Sequence, residues 1–386
     1  MKVPISKPNI ITKDIENINE TLHSGWLVQG PKTREFEDKW SDFINVKHSI
    51  AVTSCTSAMH LSLSALNFEP GDEAIVPALT WISTANVVEH LGGKVVFCDI
   101  DLDTFNIDVN HLSKIITNKT KVIFPVHLFG LSCEMKPIIE FAKKNNLKII
   151  EDAACGFGSR YFGKHVGTFG NTGCFSFHPR KAIVTGEGGM ITTNDDYIAE
   201  KIRSLRDHGA KISDLQRHLG PKPYLLSDHP YAGFNQRMTD LQGALGSSQM
   251  DRAQKIIDER QNIANKYNHA LKEIAWLKTP SSKKDFEHGY QSYVCLFNPE
   301  KIDINSIKKI NEKRNFLMDK LFSKGISTRP GTHAVHMLHY YKERYNILPQ
   351  MFFNAYAAYF CSIALPLYNG MTEQEQNYVI ESITEI

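Results

Sequence analysis

The sequence lacks the features that mark membrane, secreted and metal-binding proteins. No apolar run approaches the roughly 20 residues that a membrane-spanning helix needs, and the N-terminal Met-Lys-Val-Pro-Ile-Ser-Lys-Pro segment lacks the apolar core of a secretory signal. The seven cysteines are odd in number and scattered, and no two form a Cys-x-x-Cys pair. Neither a disulfide framework nor a zinc site is therefore indicated. We expect a cytoplasmic protein without a membrane span or a metal site.

An excess of charge of one sign is also missing. The chain has 44 basic and 42 acidic residues, a formal net charge of +2, and no run of lysine or arginine. Nucleic acid is therefore not an expected partner, although a small anionic ligand can still meet a local basic site. With 42% hydrophobic and 22% charged residues, the composition is that of an ordinary globular protein. A length of 386 residues predicts one large domain and a smaller one.

Helical and strand patterns alternate through the first part of the chain. Ile15, Ile18 and Leu22 have helical spacing and precede Gly25, a helix stop. Short apolar runs that predict strands lie at residues 73–76, 94–98, 121–126 and 147–150. Such alternation predicts an α/β fold in which a mostly parallel central sheet is flanked by helices, over roughly residues 11–238.

The remainder of the chain has a different pattern. Residues 208–234 form an irregular stretch that is long for a connection inside a compact domain, and longer loops tend to be functional. A capping box at Thr239–Gln242 opens a long helix, and we place the domain boundary within it. The prediction is a large domain at 1–245 and a smaller C-terminal α+β domain at 246–386. The smaller domain has a helix near Ser306–Lys324 and a last helix opened by a capping box at Thr372–Glu375.

A lysine near the middle of the chain is the strongest catalytic candidate. Residues 174–177 predict a strand, and Pro179 ends it, so Lys181 lies just past the strand's carboxyl end, where ligands bind in α/β sheets. A lysine among apolar neighbours loses its proton at lower cost, as Schiff-base chemistry requires. Taken alone, a loop lysine is more often a solvated surface charge.

Two further features support a cofactor site. Asp152 also ends an apolar strand, and a carboxylate there can keep the pyridine nitrogen of pyridoxal phosphate (PLP) protonated. The alternative is that Asp152 caps the next turn. Small hydroxyl residues at 53–58, Thr56 and Ser57 among them, precede an apolar-patterned helix, and a helix N-terminus is a natural phosphate site. The alternative there is a plain N-cap.

These pieces, in this order, resemble the DegT/DnrJ/StrS family of PLP-dependent sugar aminotransferases, which share the aspartate aminotransferase-type fold. The resemblance runs nearly end to end. Its segments are Gly30-Pro31, Ile75-Val-Pro-Ala-Leu-Thr-Trp81, Pro125-Val-His-Leu-Phe-Gly130, Glu151-Asp-Ala-Ala154, Ser176-Phe-His, Thr185-Gly-Glu-Gly-Gly-Met190, Arg203-Ser-Leu-Arg-Asp-His-Gly209, Gly233-Phe-Asn-Gln-Arg-Met-Thr-Asp-Leu-Gln242 and Leu365-Pro-Leu-Tyr368.

The resemblance implies a role for each matching residue. Lys181 is the Schiff-base lysine and the acid/base, and Asp152 is the partner of the pyridine nitrogen. The phosphate-binding and ring-stacking residues that it implies are Ser176, Thr56, Ser57 and Trp81. Asn235 is implied to reach the cofactor of a neighbouring subunit, which predicts a homodimer with a shared active site. Arg237 is a candidate for a substrate phosphate, with a salt-bridged surface arginine as the alternative.

Two positions depart from the family pattern. Cys155 stands where many relatives have glutamine or histidine near the phenolic oxygen of PLP, and a thiol is a weak donor. The segment from Gly325 to His336 offers Arg329, His333 and His336 in place of the usual substrate-contacting sequence. This indicates a changed substrate site, in which Arg329 can bind a carboxylate or phosphate. A structural role for the histidine pair is the alternative.

The implied reaction transfers an amino group from L-glutamate to a keto sugar, of the nucleotide-linked 4-keto-6-deoxy class, through the pyridoxamine phosphate (PMP) form of the cofactor and with ping-pong kinetics. It implies a place in polysaccharide biosynthesis. One alternative is a keto-cyclitol or small keto phosphate as acceptor. Another is a regulator of the same fold without turnover. A related sugar dehydratase would have histidine in place of Lys181.

Overall fold

The computed structural model describes residues 1–212, 224, 226–298 and 302–385. The strands, in chain order, are β1 (His48–Val52), β2 (Glu73–Pro77), β3 (Leu79–Thr80), β4 (Lys94–Cys98), β5 (Thr120–Ile123), β6 (Lys148–Asp152), β7 (Arg160–Tyr161), β8 (Lys164–His165), β9 (Thr172–Ser176), β10 (Gly189–Thr193), β11 (Leu277–Lys278), β12 (Phe286–Glu287), β13 (Tyr293–Phe297), β14 (His333–Ala334) and β15 (Ser362–Leu365).

Helices surround these strands. They are α1 (Thr12–Ser24), α2 (Pro31–Ile44), α3 (Cys55–Ala65), α4 (Ser83–His90), α5 (Leu112–Ile115), α6 (Met135–Lys144), α7 (Asp196–Arg206), α8 (Asp240–Met250), α9 (Ala253–Leu271), α10 (Ile307–Ser323), α11 (His339–Tyr345), α12 (Phe353–Cys361) and α13 (Glu373–Thr384). Within the described part of the chain, no helix is both long enough and apolar enough to cross a membrane.

The central sheet has seven strands in the order β1-β10-β9-β6-β5-β2-β4. Strands β4, β2, β5, β6 and β9 run parallel to one another, whereas β10 runs antiparallel to both β9 and β1. The predicted α/β fold with a mostly parallel sheet is therefore confirmed. The neighbouring strands β6 and β9 bring their carboxyl ends together, because Asp152 pairs with Cys174 in their ladder.

The strand predicted at 121–126 is shorter in the structure. Phe124 still donates its backbone N–H to Ile75 O at 2.9 Å, but Pro125 has no N–H to continue the ladder. Pro125 instead accepts a backbone hydrogen bond on its other side, from the Asp152 N–H to Pro125 O at 2.9 Å. This contact holds the carboxyl end of β6 in place beside β5.

The C-terminal part has its own antiparallel sheet, β11-β13-β15. Both predicted capping boxes are confirmed, at Thr239–Gln242 and Thr372–Glu375. The single long helix predicted here is two helices in the structure, α8 and α9, because the chain leaves the helical conformation at Arg252. The Arg252 side chain forms an ion pair with the buried Asp14 at 2.7 Å. The boundary between residues 245 and 246 falls within α8 and stays a prediction. Much of the irregular stretch at 208–234, namely residues 213–223 and 225, lies outside the described residues.

Candidate active site

Lys181 lies in the loop that follows β9, as the sequence predicts. Its backbone N–H donates to His178 O at 2.8 Å, and its Nζ lies 3.2 Å from Cys155 Sγ. Lys181, Cys155, Ser176 and Gln291 line one small cavity. The rest of the cavity wall is largely apolar. A half-buried amine therefore sits at the carboxyl edge of the sheet, where a carbonyl ligand can meet it.

Asp152 ends the neighbouring strand and is almost fully buried. Its Oδ2 accepts a hydrogen bond from the Thr84 hydroxyl at 2.7 Å, and its Oδ1 accepts from the Ala154 N–H at 3.1 Å. Among the described residues, no cation pairs with this carboxylate within 4.0 Å. A buried carboxylate without a cationic partner is costly, so the arrangement fits a ligand that brings a positive N–H, as a protonated pyridine does.

The adjacent carboxylate, Glu151, has a structural role instead. It is fully buried and accepts hydrogen bonds at 2.7 Å from the backbone N–H groups of Gly167, Phe169 and Gly170. His127 Nε2 lies 2.9 Å from Glu151 Oε2. Because His127 Nδ1 accepts a hydrogen bond from the Cys133 N–H, the ring proton is on Nε2. His127 Nε2–H therefore donates a hydrogen bond to Glu151. This network fixes the strand end that carries Asp152.

The predicted phosphate turn begins helix α3. Ser54 is the N-cap, and its Oγ accepts from the Ser57 N–H at 3.0 Å. Thr53 Oγ1 lies 2.9 Å from Ser57 Oγ, so these hydroxyls are already joined to one another. Thr56 occupies the first turn, next to backbone N–H groups that the helix leaves free. The turn therefore has the hydroxyls and amides that bind a phosphate.

Ser176 lies beside this turn because of a close backbone approach. It pairs with Gly189 in the β9–β10 ladder, and a Cβ on Gly189 would lie only 2.4 Å from the Ser54 carbonyl carbon. Only glycine permits that approach. Ser176 therefore lies at the same edge of the sheet as the turn that holds Thr56 and Ser57, the other two residues predicted to bind phosphate.

Trp81 follows β3 and is 60% exposed, which excludes an ordinary core position. Strand β14 pairs with β3, with His333 opposite Thr80. The His333 ring consequently lies 5.4 Å from the Trp81 ring, nearly perpendicular to it. The Tyr359 ring also lies near His333, with ring centroids 6.3 Å apart. Of the residues predicted to bind substrate, His333 is therefore the one in contact with Trp81.

The other residues predicted to bind substrate do not contact Trp81 among the described ring contacts. His336 is fully buried, and its Nε2 donates to Pro349 O at 3.1 Å. Burial lowers the pKa of His336, which favours the structural alternative. Arg237 forms an ion pair with Asp207, which likewise favours a structural role. Arg329 is exposed, and its Nη1 donates to Thr328 O at 2.9 Å.

Asn235 lies at the surface, held by an antiparallel bridge to Asp207. Its neighbour Phe234 is also exposed and packs edge-on against the His60 ring at 4.9 Å. Asn235 is not among the residues that line the cavity around Lys181. Its role toward the cofactor of a second subunit remains a prediction.

Two residues near the site were not assigned a role from the sequence. Thr84 binds Asp152 across 68 positions of the chain, and its only sequence signal is a hydroxyl in the turn after Trp81. Gln291 lines the Lys181 cavity and donates from Nε2 to Arg180 O at 3.2 Å. Nothing in its local sequence distinguishes Gln291 from a surface glutamine.

Comparison with known proteins shows which family this chain is similar to. The model of the DegT/DnrJ/EryC1/StrS aminotransferase family matches residues 8–384. The spore coat polysaccharide biosynthesis protein SpsC from Bacillus subtilis is 37% identical over 100% of this chain and 97% of its own. GDP-perosamine synthase from Escherichia coli O157:H7 is 35% identical over 99% of this chain and 98% of its own.

A solved structure extends the likeness to the whole fold. The Streptococcus pneumoniae protein Spr1654 in its PMP form superposes with a TM-score of 0.90 and 28% identity, over 100% of this chain and 98% of that one. The same protein has also been solved in a PLP form. With a family match over nearly the full length, the chain belongs to the DegT/DnrJ/EryC1/StrS aminotransferase family and is a PLP-dependent aminotransferase.

Proposed function

We propose that this enzyme transfers an amino group from L-glutamate to a nucleotide-linked keto sugar of the 4-keto-6-deoxy class. The observation that carries the proposal is the 35% identity to GDP-perosamine synthase over 99% of this chain. The relation to SpsC supports a place in polysaccharide biosynthesis. The seven free cysteines are typical of a reducing compartment, which supports a cytoplasmic location.

The residues of the site have distinct tasks in this scheme. PLP, when bound, withdraws electrons from the substrate carbon that loses or gains the amino group. Lys181 Nζ binds the cofactor carbonyl carbon and moves the proton at the substrate carbon. Asp152 holds the proton on the pyridine nitrogen. Ser176, Thr56, Ser57 and the first amides of α3 bind the phosphate, and Trp81 offers an exposed ring face.

Substrate recognition follows from what surrounds Trp81. His333 lies against the Trp81 ring and can donate or accept a hydrogen bond to a sugar hydroxyl. Arg329 is an exposed cation in the same chain segment and suits a phosphate of the nucleotide. His336 is fully buried and Arg237 is ion-paired with Asp207. Arg329 is exposed and forms no ion pair with the described residues. We therefore assign His333 and Arg329 the leading substrate roles.

Single half-reactions test the proposed function. The enzyme is incubated with L-glutamate alone, and 2-oxoglutarate is measured against enzyme sites. One equivalent is expected, because turnover stops when all cofactor is in the PMP form. Nucleotide keto sugars, keto-cyclitols and keto phosphates are then offered as acceptors. Return of the PLP spectrum with a nucleotide keto sugar supports the proposal.

Two other outcomes would contradict it. Return of the spectrum only with a cyclitol or small keto phosphate would replace the proposed acceptor. No release of the corresponding keto acid from L-glutamate or any other amino donor would instead favour a regulator without turnover. Apo-enzyme reloaded with PLP serves as the control for cofactor content.

Replacing Thr84 with valine is expected to weaken PLP binding by about tenfold. Valine has the same shape but leaves Asp152 Oδ2 without its donor, and an unsatisfied buried acceptor costs roughly 1–3 kcal/mol. Thr84→Ser keeps the hydroxyl and is expected to bind PLP like the parent. Titration of apo-enzyme with PLP, followed by fluorescence, gives the dissociation constants. Equal affinity in the valine and serine variants would remove Thr84 from the account.

We further propose a homodimer in which Asn235 completes the site of the partner subunit. Apolar side chains lie exposed on α1 and after it, at Ile15, Leu22, Leu27 and Val28, and Phe234 is exposed beside Asn235. Large apolar side chains that are exposed in a single subunit are typical of a surface that another subunit covers. The surface position of Asn235, away from its own Lys181 cavity, supports contact with a second subunit.

Mixed dimers test this arrangement. Lys181→Ala and Asn235→Ala proteins are unfolded together and refolded, then assayed beside each parent. If Asn235 acts across the interface, a hybrid dimer has one intact site, and activity rises well above that of either variant. The matched control mixes Lys181→Ala with Asp152→Ala, which share one subunit's site and are expected to show no such rise. No recovery in the first mixture would place Asn235 in its own subunit's site.

A further inference from the structure

We propose that Cys155 and Lys181 form a site of reversible oxidative modification, in which hydrogen peroxide drives formation of a covalent bond between Cys155 Sγ and Lys181 Nζ. The inference goes beyond amino transfer and does not depend on which acceptor the enzyme uses. It rests on the contact between two reactive groups, on the fixed backbone that holds them together, and on the different surroundings of the other six cysteines.

The two reacting atoms are already in contact. Lys181 Nζ lies 3.2 Å from Cys155 Sγ, which falls in the range of about 3–3.5 Å at which bound groups react. Both side chains line the same cavity. Bond formation therefore needs rotation of side-chain torsions and no rearrangement of the backbone.

The sheet holds the two residues in this position. Cys155 follows the end of β6, and Lys181 follows the end of β9. These neighbouring strands are joined in register, with Asp152 opposite Cys174. The turn after β6 is tied further by the Ala154 N–H, which donates to Asp152 Oδ1 at 3.1 Å. The fold therefore holds the backbones of Cys155 and Lys181 close enough for their side chains to meet.

Cys155 is distinguished from the other cysteines by access. Six of the seven thiols are buried, and Cys155 is the half-exposed one. Burial raises the pKa of each buried thiol, which keeps it in the protonated, unreactive form. The six are Cys55, Cys98, Cys133, Cys174, Cys295 and Cys361. A peroxide molecule in solvent can therefore reach one sulfur in preference to the rest.

The chemistry balances with hydrogen peroxide as the oxidant. The Cys155 thiolate attacks one peroxide oxygen, the O–O bond breaks, and with one proton the products are a sulfenic acid and water. The neutral Lys181 amine then attacks the sulfenic sulfur, and the S–O bond breaks. One amine proton leaves with the hydroxide as a second water, and an S–N bond remains. Two equivalents of a thiol reductant cleave that bond, restore the thiol and the amine, and become a disulfide.

The S–N bond would block Lys181 Nζ, the atom that transamination requires. While Lys181 Nζ is bonded to PLP, it cannot attack Cys155, so the PLP form is protected. In the PMP form the amine is free beside the thiol. Peroxide is therefore expected to act on the glutamate-loaded enzyme and to stop it between its two half-reactions.

Peptide mass spectrometry tests the proposal without an activity assay. Enzyme loaded with L-glutamate is treated with hydrogen peroxide, alkylated and digested. The expected product is one species joining the Cys155 and Lys181 peptides, lighter by two hydrogen atoms than the two together. It is expected to vanish after dithiothreitol, to be strongly reduced in the PLP form, and to be missing from Cys155→Ser. Cys361→Ser is the matched control and is expected to keep it.

Three results would overturn the proposal. The first is a Cys155 peptide that remains fully alkylated or carries sulfinic acid without a joined partner. The second is a joined species with an additional oxygen, which would replace the direct S–N bond. The third is a joined species that forms equally in Cys155→Ser. The same digest of cofactor-free protein keeps the test separate from the proposed function, since the S–N bond is expected there as well.

Discussion

Replacing Lys181 with alanine is expected to abolish amino transfer, with a loss of at least about 10³-fold in kcat. In the proposed mechanism, the substitution removes both the nucleophile for the cofactor carbonyl and the base at the substrate carbon. General acid–base catalysis alone contributes roughly 10²–10⁴-fold. The visible absorbance of lysine-bound PLP is expected to disappear as well. Stopped-flow spectra with L-glutamate and a steady-state assay provide the two measurements.

A matched lysine separates this effect from a general loss of charge. Lys148 is exposed at the first position of β6, the strand that ends with Asp152. Lys148→Ala is expected to keep both the absorbance and the rate. A Lys181→Ala protein that stayed yellow and turned over within tenfold of the parent would remove Lys181 from the centre of the site.

Replacing Asp152 with asparagine is expected to lower kcat/KM by about 10²–10³-fold, the size of effect seen when a preorganised electrostatic partner is removed. Asparagine keeps the shape and can still accept from Thr84, but its neutral amide no longer favours a proton on the pyridine nitrogen. Both half-reactions are expected to slow to a similar degree. Single-turnover rates for L-glutamate and for the keto sugar measure this directly.

Glu151→Gln is the matched control for Asp152→Asn. Glu151 is the adjacent buried carboxylate, and it accepts from three backbone N–H groups and His127. Its neutralisation is expected to lower the melting temperature, because breaking a buried charged network destabilises the fold. Asp152→Asn is expected to lower the rate while the melting temperature changes little. The opposite pattern would assign catalysis to Glu151.

The positions of Asp152 and Lys181 could be predicted from the sequence because both residues lie at the carboxyl ends of strands. Asp152 and Lys181 each follow an apolar segment, and parallel neighbours place such residues at the same edge of the sheet. Strand alternation likewise predicts the central sheet. These signals are local, and the structure agrees with them in the position of both residues.

Contacts between distant segments could not be predicted in this way. His333 and His336 look equivalent in the sequence, and only the pairing of β14 with β3 puts His333 against Trp81. The His336 side chain is buried in the core, where its Nε2–H donates a hydrogen bond to Pro349 O. The Thr84 hydroxyl reaches Asp152 through the packing of α4 against the sheet, which no local pattern reveals.

Reductive trapping identifies the lysine that binds PLP. The holoenzyme is treated with sodium borohydride, which fixes PLP to its lysine, and the labelled peptide is sequenced by mass spectrometry. The pyridoxyl group is expected on Lys181 and on no other lysine. This label is expected to be lost when L-glutamate is added before the borohydride. A label on a different lysine, or an unlabelled protein that still transfers amino groups, would contradict it.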